Sequence, residues 1–401
     1  MKDGYPLFLW RHRGELGFGF ILMALSSFGQ TFYISLFGAD IRAAYGLSDG
    51  GLGTAYAVAT TASAVSINWV GRWIDRVPVA RYTLATALVL AMACVTMAMG
   101  THLAVLVGAF YLLRLGGQGL MVHISQTTTA RAFPGRSGQA LGFTGLGMAL
   151  GEALMPPLAV SAIAAFGWRA IWGAGAAAVL LGTALALRCR GRQHNALRTG
   201  PGTATVLPAT EIPFWRDRLM VLSIPAVLAS PFISTGFFFH QARLADEKHW
   251  ALGWVAAWFV AYAAARATSM VAIGPVIDRL GAVRTLPWQL LPLGVAMVAL
   301  VVSDSPWSVP FYLLPVGMAA GIANTLLTAL WMELYGPGRL AAVRSWITAA
   351  SVLASGLSPT LFGWLVDLGV PLWEQAAGCL AYIVLAAWLA SRIARPRPKV
   401  G

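Results

Sequence analysis

The sequence predicts an all-α membrane protein of twelve transmembrane helices in two pseudo-symmetric six-helix halves, with both termini cytoplasmic. Three observations predict it. Hydrophobic residues make up 58 % of the 401 and charged ones 11 %, with a mean hydropathy of +0.70, outside the range of a soluble globular chain. Apolar runs of roughly 20 residues, the length that crosses a hydrocarbon layer, fall at about 17–39, 49–70, 82–101, 104–128, 140–165, 168–188, 219–241, 250–273, 285–303, 308–332, 341–365 and 371–391, here numbered segments 1 to 12. Finally, Gly71-Arg-Trp-Ile-Asp75-Arg76, continuing to Arg81, returns as Gly274-Pro-Val-Ile-Asp278-Arg279, continuing to Arg284, at an offset of 203 positions. Pro134-Gly135-Arg136 and Pro156 return as Pro337-Gly338-Arg339 and Pro359 at the same offset, so the chain is a duplication. The halves are 1–188 and 219–401, joined by a basic linker at 189–218.

The net charge of +13 follows the membrane and needs no nucleic acid. With the N-terminus inside, 22 of the 28 Lys and Arg fall in the tails and cytoplasmic loops, against Arg42, Arg169, Arg243 and Lys248 on the other side. The expected location is the cytoplasmic membrane of a bacterium. Cys94, Cys189 and Cys379 are isolated and odd in number, and no metal-ligand spacing accompanies them, so neither a disulfide framework nor a metal or other cofactor is expected. Segment 1 is too long for a signal h-region and should remain in place.

Each copy of the repeated stretch is a short charged loop between two apolar segments. It resembles the cytoplasmic loop between helices two and three of the major facilitator superfamily, in its bacterial twelve-helix type, where a weaker second copy lies between helices eight and nine. The resemblance covers nearly the whole chain. It implies a secondary transporter working by alternating access, with a site near the midplane between the halves. It also implies that the loops act as latches, with Gly71, Asp75, Arg76 and Arg81 in one and Gly274, Asp278, Arg279 and Arg284 in the other as gating residues. Gly71 would allow close approach of neighbouring helices. Asp75 would accept from backbone N–H groups at a helix start or pair with an Arg such as Arg76 or Arg81.

Segment by segment, the polar residues are few. The tail before segment 1 carries Lys2, Arg11 and Arg13 as an orientation signal at the membrane surface. Segment 1 sets Ser26, Gln30, Tyr33 and Phe37 at spacings that share one helix face, serving helix-to-helix hydrogen bonds or substrate contact. Segment 4 holds Arg114, whose burial costs about 2.5 to 3.5 kcal/mol and demands a partner or a wet cavity. Arg114-x-x-x-Gln118-Gly119 resembles the superfamily's helix 4 motif R-x-x-Q-G, associated with proton-coupled members, with the Arg-to-Gln spacing one residue longer. His123, in the same segment, is a packing residue or a ligand.

Segment 5 reads Gly145-Leu-Gly147-Met-Ala-Leu-Gly151-Glu152, similar to the antiporter motif G-x-x-x-G-P with Glu152 in place of the proline. Glu152 is the one acid near the middle of any segment. Its depth matches that of Arg114, which suggests an ion pair that either carries a proton or is a permanent bridge.

Segment 7 ends in His240, a packing residue or a proton carrier. Segment 8 has Tyr262 and Arg266 one turn apart. An intramembrane Arg there is similar to the substrate-anchoring Arg of carboxylate carriers in the superfamily, because a planar guanidinium can bind both carboxylate oxygens. Segment 10 offers Asn324 and Thr328, and Glu333 near its end, a partner for Arg339 or Arg344. Ser355 in segment 11 stands at the repeat position of Glu152.

The sequence has no Walker A pattern and no hydrolytic triad, so an enzyme or ATP-driven pump is not expected. The expected function is proton-coupled movement of a small organic anion. The candidate substrate and coupling residues are Arg266, Tyr262, Arg114, Gln118, Glu152, Gln30, Tyr33, His240 and Asn324. Proton-driven efflux of lipophilic cations is the alternative within transport, and a polytopic enzyme or assembly factor the alternative outside it. Partners are the small solute, protons and the bilayer, and the chain is expected to be a monomer.

Overall fold

In the computed structural model, which describes residues 5–190 and 217–393, every regular element is helical. Most of the predicted linker and the basic tail from 394 onward lie outside the described residues.

Among the described residues nine helices are long and apolar enough to cross a membrane: Val79–Met99, Leu103–Ala132, Ser137–Phe166, Trp168–Cys189, Arg218–Phe239, Leu252–Leu280, Ser308–Gly336, Trp346–Asp367 and Leu372–Ser391. They correspond to segments 3 to 8 and 10 to 12. The expected uniform set of twelve departs from this in three places. Segment 1 is broken into Arg13–Gly29 and Thr31–Tyr45, bent by 46°, because Gln30 is extended (φ −86°, ψ 150°) between the 3-10 turn Ser26–Gly29 and the α-helical turn Thr31–Ile34. Its polar stripe therefore cannot occupy one continuous face. Segment 2 is a 22-residue helix, Asp49–Val70, but Gly, Thr, Ser and Asn dilute its apolar content. Segment 9 is shorter, Trp288–Val302.

The chain divides into two compact units, one of residues 1–47 with 54–201 and the other of 48–53 with 202–401. Within the first, segment 5 crosses segment 1 closely, Gly147 facing the Phe20 backbone and Gly151 the Ser27 side chain. Within the second, segment 11 crosses segment 7 at the corresponding place: Ser358 and Phe362 face Gly236, and Ser358 donates to Phe232 O. Small residues at such crossings let backbones approach where no hydrophobic drive separates helix from lipid.

The outward faces are apolar. Leu158, Leu181, Val271 and Val384 are all more than 60 % exposed, which suits hydrocarbon rather than water. The chain is an integral membrane protein.

Candidate functional site

In the first unit, segment 4 changes winding at the residues singled out by the sequence. Arg114–Met121 is π-helical, between α-helical Leu103–Leu113 and Val122–Ala132. An i→i+5 bond encloses one residue more than an i→i+4 bond, so this turn absorbs the surplus residue between Arg114 and Gln118.

Arg114 is 4 % exposed. It donates through Nη1 to Gly29 O (3.2 Å) and Thr31 Oγ1 (3.4 Å), and its guanidinium carbon lies 5.2 Å from the centre of the Tyr56 ring. Thr31 Oγ1 and the Tyr56 hydroxyl are 2.7 Å apart. The Gly29 carbonyl is available because of the break at Gln30, since the Tyr33 N–H turns to Gln30 O at 3.2 Å. Backbone contact brings the two segments this close: a Cβ on Gly117 would lie 2.7 Å from Gly29 Cα. A carbonyl, a hydroxyl and an aromatic face thus surround the cation, all of them neutral.

Glu152 is 5 % exposed on Ser137–Phe166, next to Gly151 at the Ser27 crossing. The direct ion pair expected with Arg114 is not the arrangement at the guanidinium. Arg114 reaches the turn Ser26–Gly29 from segment 4, and Gly151, the neighbour of Glu152, meets the same turn at Ser27 from segment 5. Gln118 is half-buried there, its backbone N against Gly29. Tyr33 is enclosed by Phe28, Phe37 and Trp172, with ring centres 5.2 to 5.3 Å away.

In the second unit Arg266 is half-buried on Leu252–Leu280. Its position is set by two glycines of segment 10: Gly317 lies on the Tyr262 backbone and Gly321 on those of Arg266 and Met270. Thr325 Oγ1 adds a hydrogen bond to Met270 O at 2.9 Å. Tyr262 is buried against Phe238 and Phe259, while Asn324 is exposed.

His240 is also buried, its Nε2 2.8 Å from Pro359 O and its Nδ1 3.6 Å from the Asp49 carboxylate. Asp367 caps the start of the Asp49 helix, accepting from Ser48 Oγ (2.7 Å), Asp49 N (3.1 Å) and Gly50 N (2.9 Å). His240 thus belongs to this acidic cluster and is not grouped with Arg266.

The two charged loops differ from each other and from expectation. Gly71–Asp75 is a 3-10 turn in which Asp75 pairs with Arg131 at 2.6 Å, not with Arg76 or Arg81, which are exposed. Arg131 ends segment 4, within reach across the turn. A Cβ on Gly71 would meet only ordinary contact, 3.6 Å from His123 Nε2, so close helix approach does not require this glycine. Its carbonyl lies 3.1 Å from His123 Nε2.

In the second copy Gly274–Leu280 continues the helix of segment 8, leaving Asp278, Arg279 and Arg284 exposed. Gly274 has open space around it. Glu333 closes this loop, accepting from Ala282 N (2.6 Å) and Val283 N (3.4 Å); of the two arginines expected to pair with it, Arg344 is exposed and the side chain of Arg339 lies outside the described residues. The preceding Gly281 holds φ 84°, a left-handed conformation that favours glycine.

Sequence reasoning missed Thr31 and Tyr56 at Arg114, Arg131 at Asp75, and the Asp49–Asp367 cluster. Tyr56 was findable, as an amphipathic ring on a helix neighbouring a buried Arg. Among the described residues no three His, Cys, Asp or Glu side chains gather as metal ligands.

The family model described as "Major Facilitator Superfamily" matches residues 19–359. A solved structure of a bacterial homolog to the human lysosomal transporter Spinster, in an inward-facing and unoccupied conformation, is similar with a TM-score of 0.72 at 14 % identity, covering 95 % of this chain and 97 % of that one. The nucleoside transporter NupG is similar with a TM-score of 0.75 at 11 % identity, covering 96 % and 99 %. No curated protein matches in sequence.

Proposed function

Since the chain belongs to the Major Facilitator Superfamily, we propose that this integral membrane transporter is a proton-coupled secondary carrier of a small organic anion, working by alternating access. In this reading all twelve segments span the bacterial cytoplasmic membrane, with both termini inside. Residues 1–188 and 219–401 form the two six-helix halves, 189–218 is the linker, and the chain acts as a monomer.

The observation that carries the anion is the surroundings of Arg114: a cation 4 % exposed whose partners are the Gly29 carbonyl, Thr31 and the Tyr56 ring. Neutral partners orient a guanidinium without cancelling its charge, so an arriving carboxylate meets an uncompensated cation whose attraction offsets the carboxylate's desolvation. Arg266, one turn from Tyr262, supplies a second guanidinium. Glu152 is the proton carrier, and Gln118, Gln30, Tyr33 and Asn324 contribute polar contacts. His240, in its acidic cluster, is the alternative proton carrier to Glu152. The two charged loops, with Asp75, Arg76 and Arg81 in one and Asp278, Arg279 and Arg284 in the other, gate the cycle.

Efflux of lipophilic cations is favoured instead by the aromatic groups around Tyr33 and Tyr262 and by the burial of the acid Glu152. A thermal-shift screen of the purified protein against small carboxylates and lipophilic cations separates the two, because a ligand stabilises the state it binds. Stabilisation by a carboxylate that disappears in Arg266→Ala supports the anion. Stabilisation by hydrophobic cations alone, indifferent to Arg266, sinks it.

A further inference from the structure

Ahead of segment 1 lies a short helix, Tyr5–Arg11, with apolar groups on two sides. Phe8 is buried in a cluster with Leu16, Phe133 and Ala140, its ring 5.3 Å from that of Phe133 and edge-on to it. The opposite side carries Trp10, 67 % exposed, flanked by Leu7, 46 % exposed, while Tyr5, 44 % exposed, stands one turn before Phe8. On a helical wheel Trp10 stands nearly opposite Phe8.

That face is exposed among the described residues, and two guanidiniums lie against the aromatic rings of the same helix. Arg13 is 4.8 Å from the Trp10 ring centre and donates to Trp10 O at 3.2 Å; Arg136 is 5.3 Å from the Phe8 ring centre. Arg11 is exposed at the helix end. After a break at His12 the chain enters the apolar helix that starts segment 1.

An exposed Trp and Tyr beside Leu, with arginines alongside, are the groups that settle in a headgroup layer: the rings span its polarity gradient while guanidiniums meet lipid phosphates. We propose that Tyr5–Arg11 lies in the headgroup layer of the bilayer that holds the rest of the chain, and that Arg13 and Arg136, one on each side of it, bind the headgroups of anionic phospholipids there. The aromatic contacts hold both guanidiniums beside the helix, and Phe8 anchors the helix to the loop that carries Arg136. A zwitterionic surface offers the rings the same partition but no net charge to the arginines, so the selectivity is for anionic lipid.

The test uses the full chain in nanodiscs of phosphatidylcholine with rising phosphatidylglycerol. A nitroxide on Leu7→Cys, in a background without the three native cysteines, should be more accessible to oxygen than to a water-soluble nickel chelate. The phosphatidylglycerol that half-saturates the thermal shift should rise on the order of twenty-fold in Arg13→Gln/Arg136→Gln, each arginine at an anionic surface being worth about five-fold. A nitroxide as open to the chelate as one on a soluble peptide overturns the placement. An unchanged phosphatidylglycerol requirement in the folded double variant overturns the lipid site.

Discussion

The Asp75 carboxylate accepts a 2.6 Å hydrogen bond from the Arg131 guanidinium and so ties the Gly71–Asp75 turn to the end of segment 4. The side chains are 59 % and 47 % exposed, which limits the pair to about 0 to 1 kcal/mol. Glu333 makes the related tie in the second unit. There the acid sits at the end of segment 10 and its partners are amides of the loop after segment 8.

A tie this weak can be broken and remade during a transport cycle without endangering the fold. Asp75→Asn is therefore expected to lower solute flux in proteoliposomes while costing less than about 1 kcal/mol of stability. The reversed pair, Asp75→Arg with Arg131→Asp, should recover part of the flux. A steep drop in melting temperature with flux per folded molecule unchanged would show that the pair is only structural.

The Gly29–Gly117 contact leaves no room for a methyl group. Gly117→Ala should destabilise the protein by about 1 to 3 kcal/mol through forced separation of segments 1 and 4, whereas Gly108→Ala, with open space around it, should be near neutral. Melting curves in detergent compare the two, and equal midpoints would refute the packing argument.

At Arg114, a lysine keeps the charge but loses the planar fork that reaches Gly29 O and Thr31 while lying over Tyr56. Arg114→Lys should fold and lose transport by about ten-fold or more, equivalent to at least about 1.4 kcal/mol. Tyr56→Phe removes only the hydroxyl bound to Thr31 and should cost about 1 kcal/mol. Wild-type transport by Arg114→Lys would mean that charge alone matters there.

If Glu152 carries the proton, Glu152→Gln holds the neutral form permanently. Uptake driven by a pH gradient should vanish while solute exchange across the membrane persists. Full retention of gradient dependence in this variant would remove Glu152 from the coupling scheme.

Much of this arrangement was legible because a membrane makes polar residues conspicuous. Arg114, Glu152 and Arg266 stand out in apolar runs, and the Gly71 and Gly274 stretches announce a duplication. The break at Gln30 was not legible, since no proline marks it and it accompanies a close contact of Gly29 with segment 4 that only the fold brings about. The pairing of Asp75 with Arg131 was hidden for a related reason: Arg76 and Arg81 are nearer in sequence, but the turn sets the carboxylate toward segment 4. Segment 2 shows the limit of counting apolar residues, because its Gly, Ser and Thr positions serve helix contacts such as Tyr111 with Ser66.

Every amino acid except proline carries an amide hydrogen. The tie closed by Glu333 thus reads no side chain of the loop it holds, and substitutions at half-buried Val283 can accumulate without loosening it, whereas Ala282 is constrained by its own burial. The first repeat has no such licence, because changing Asp75 or Arg131 alone breaks the bond and only a coordinated change restores it. Two copies that began alike now carry different mutational constraints: one guards a pair of positions, the other a single acid and the shape of a turn.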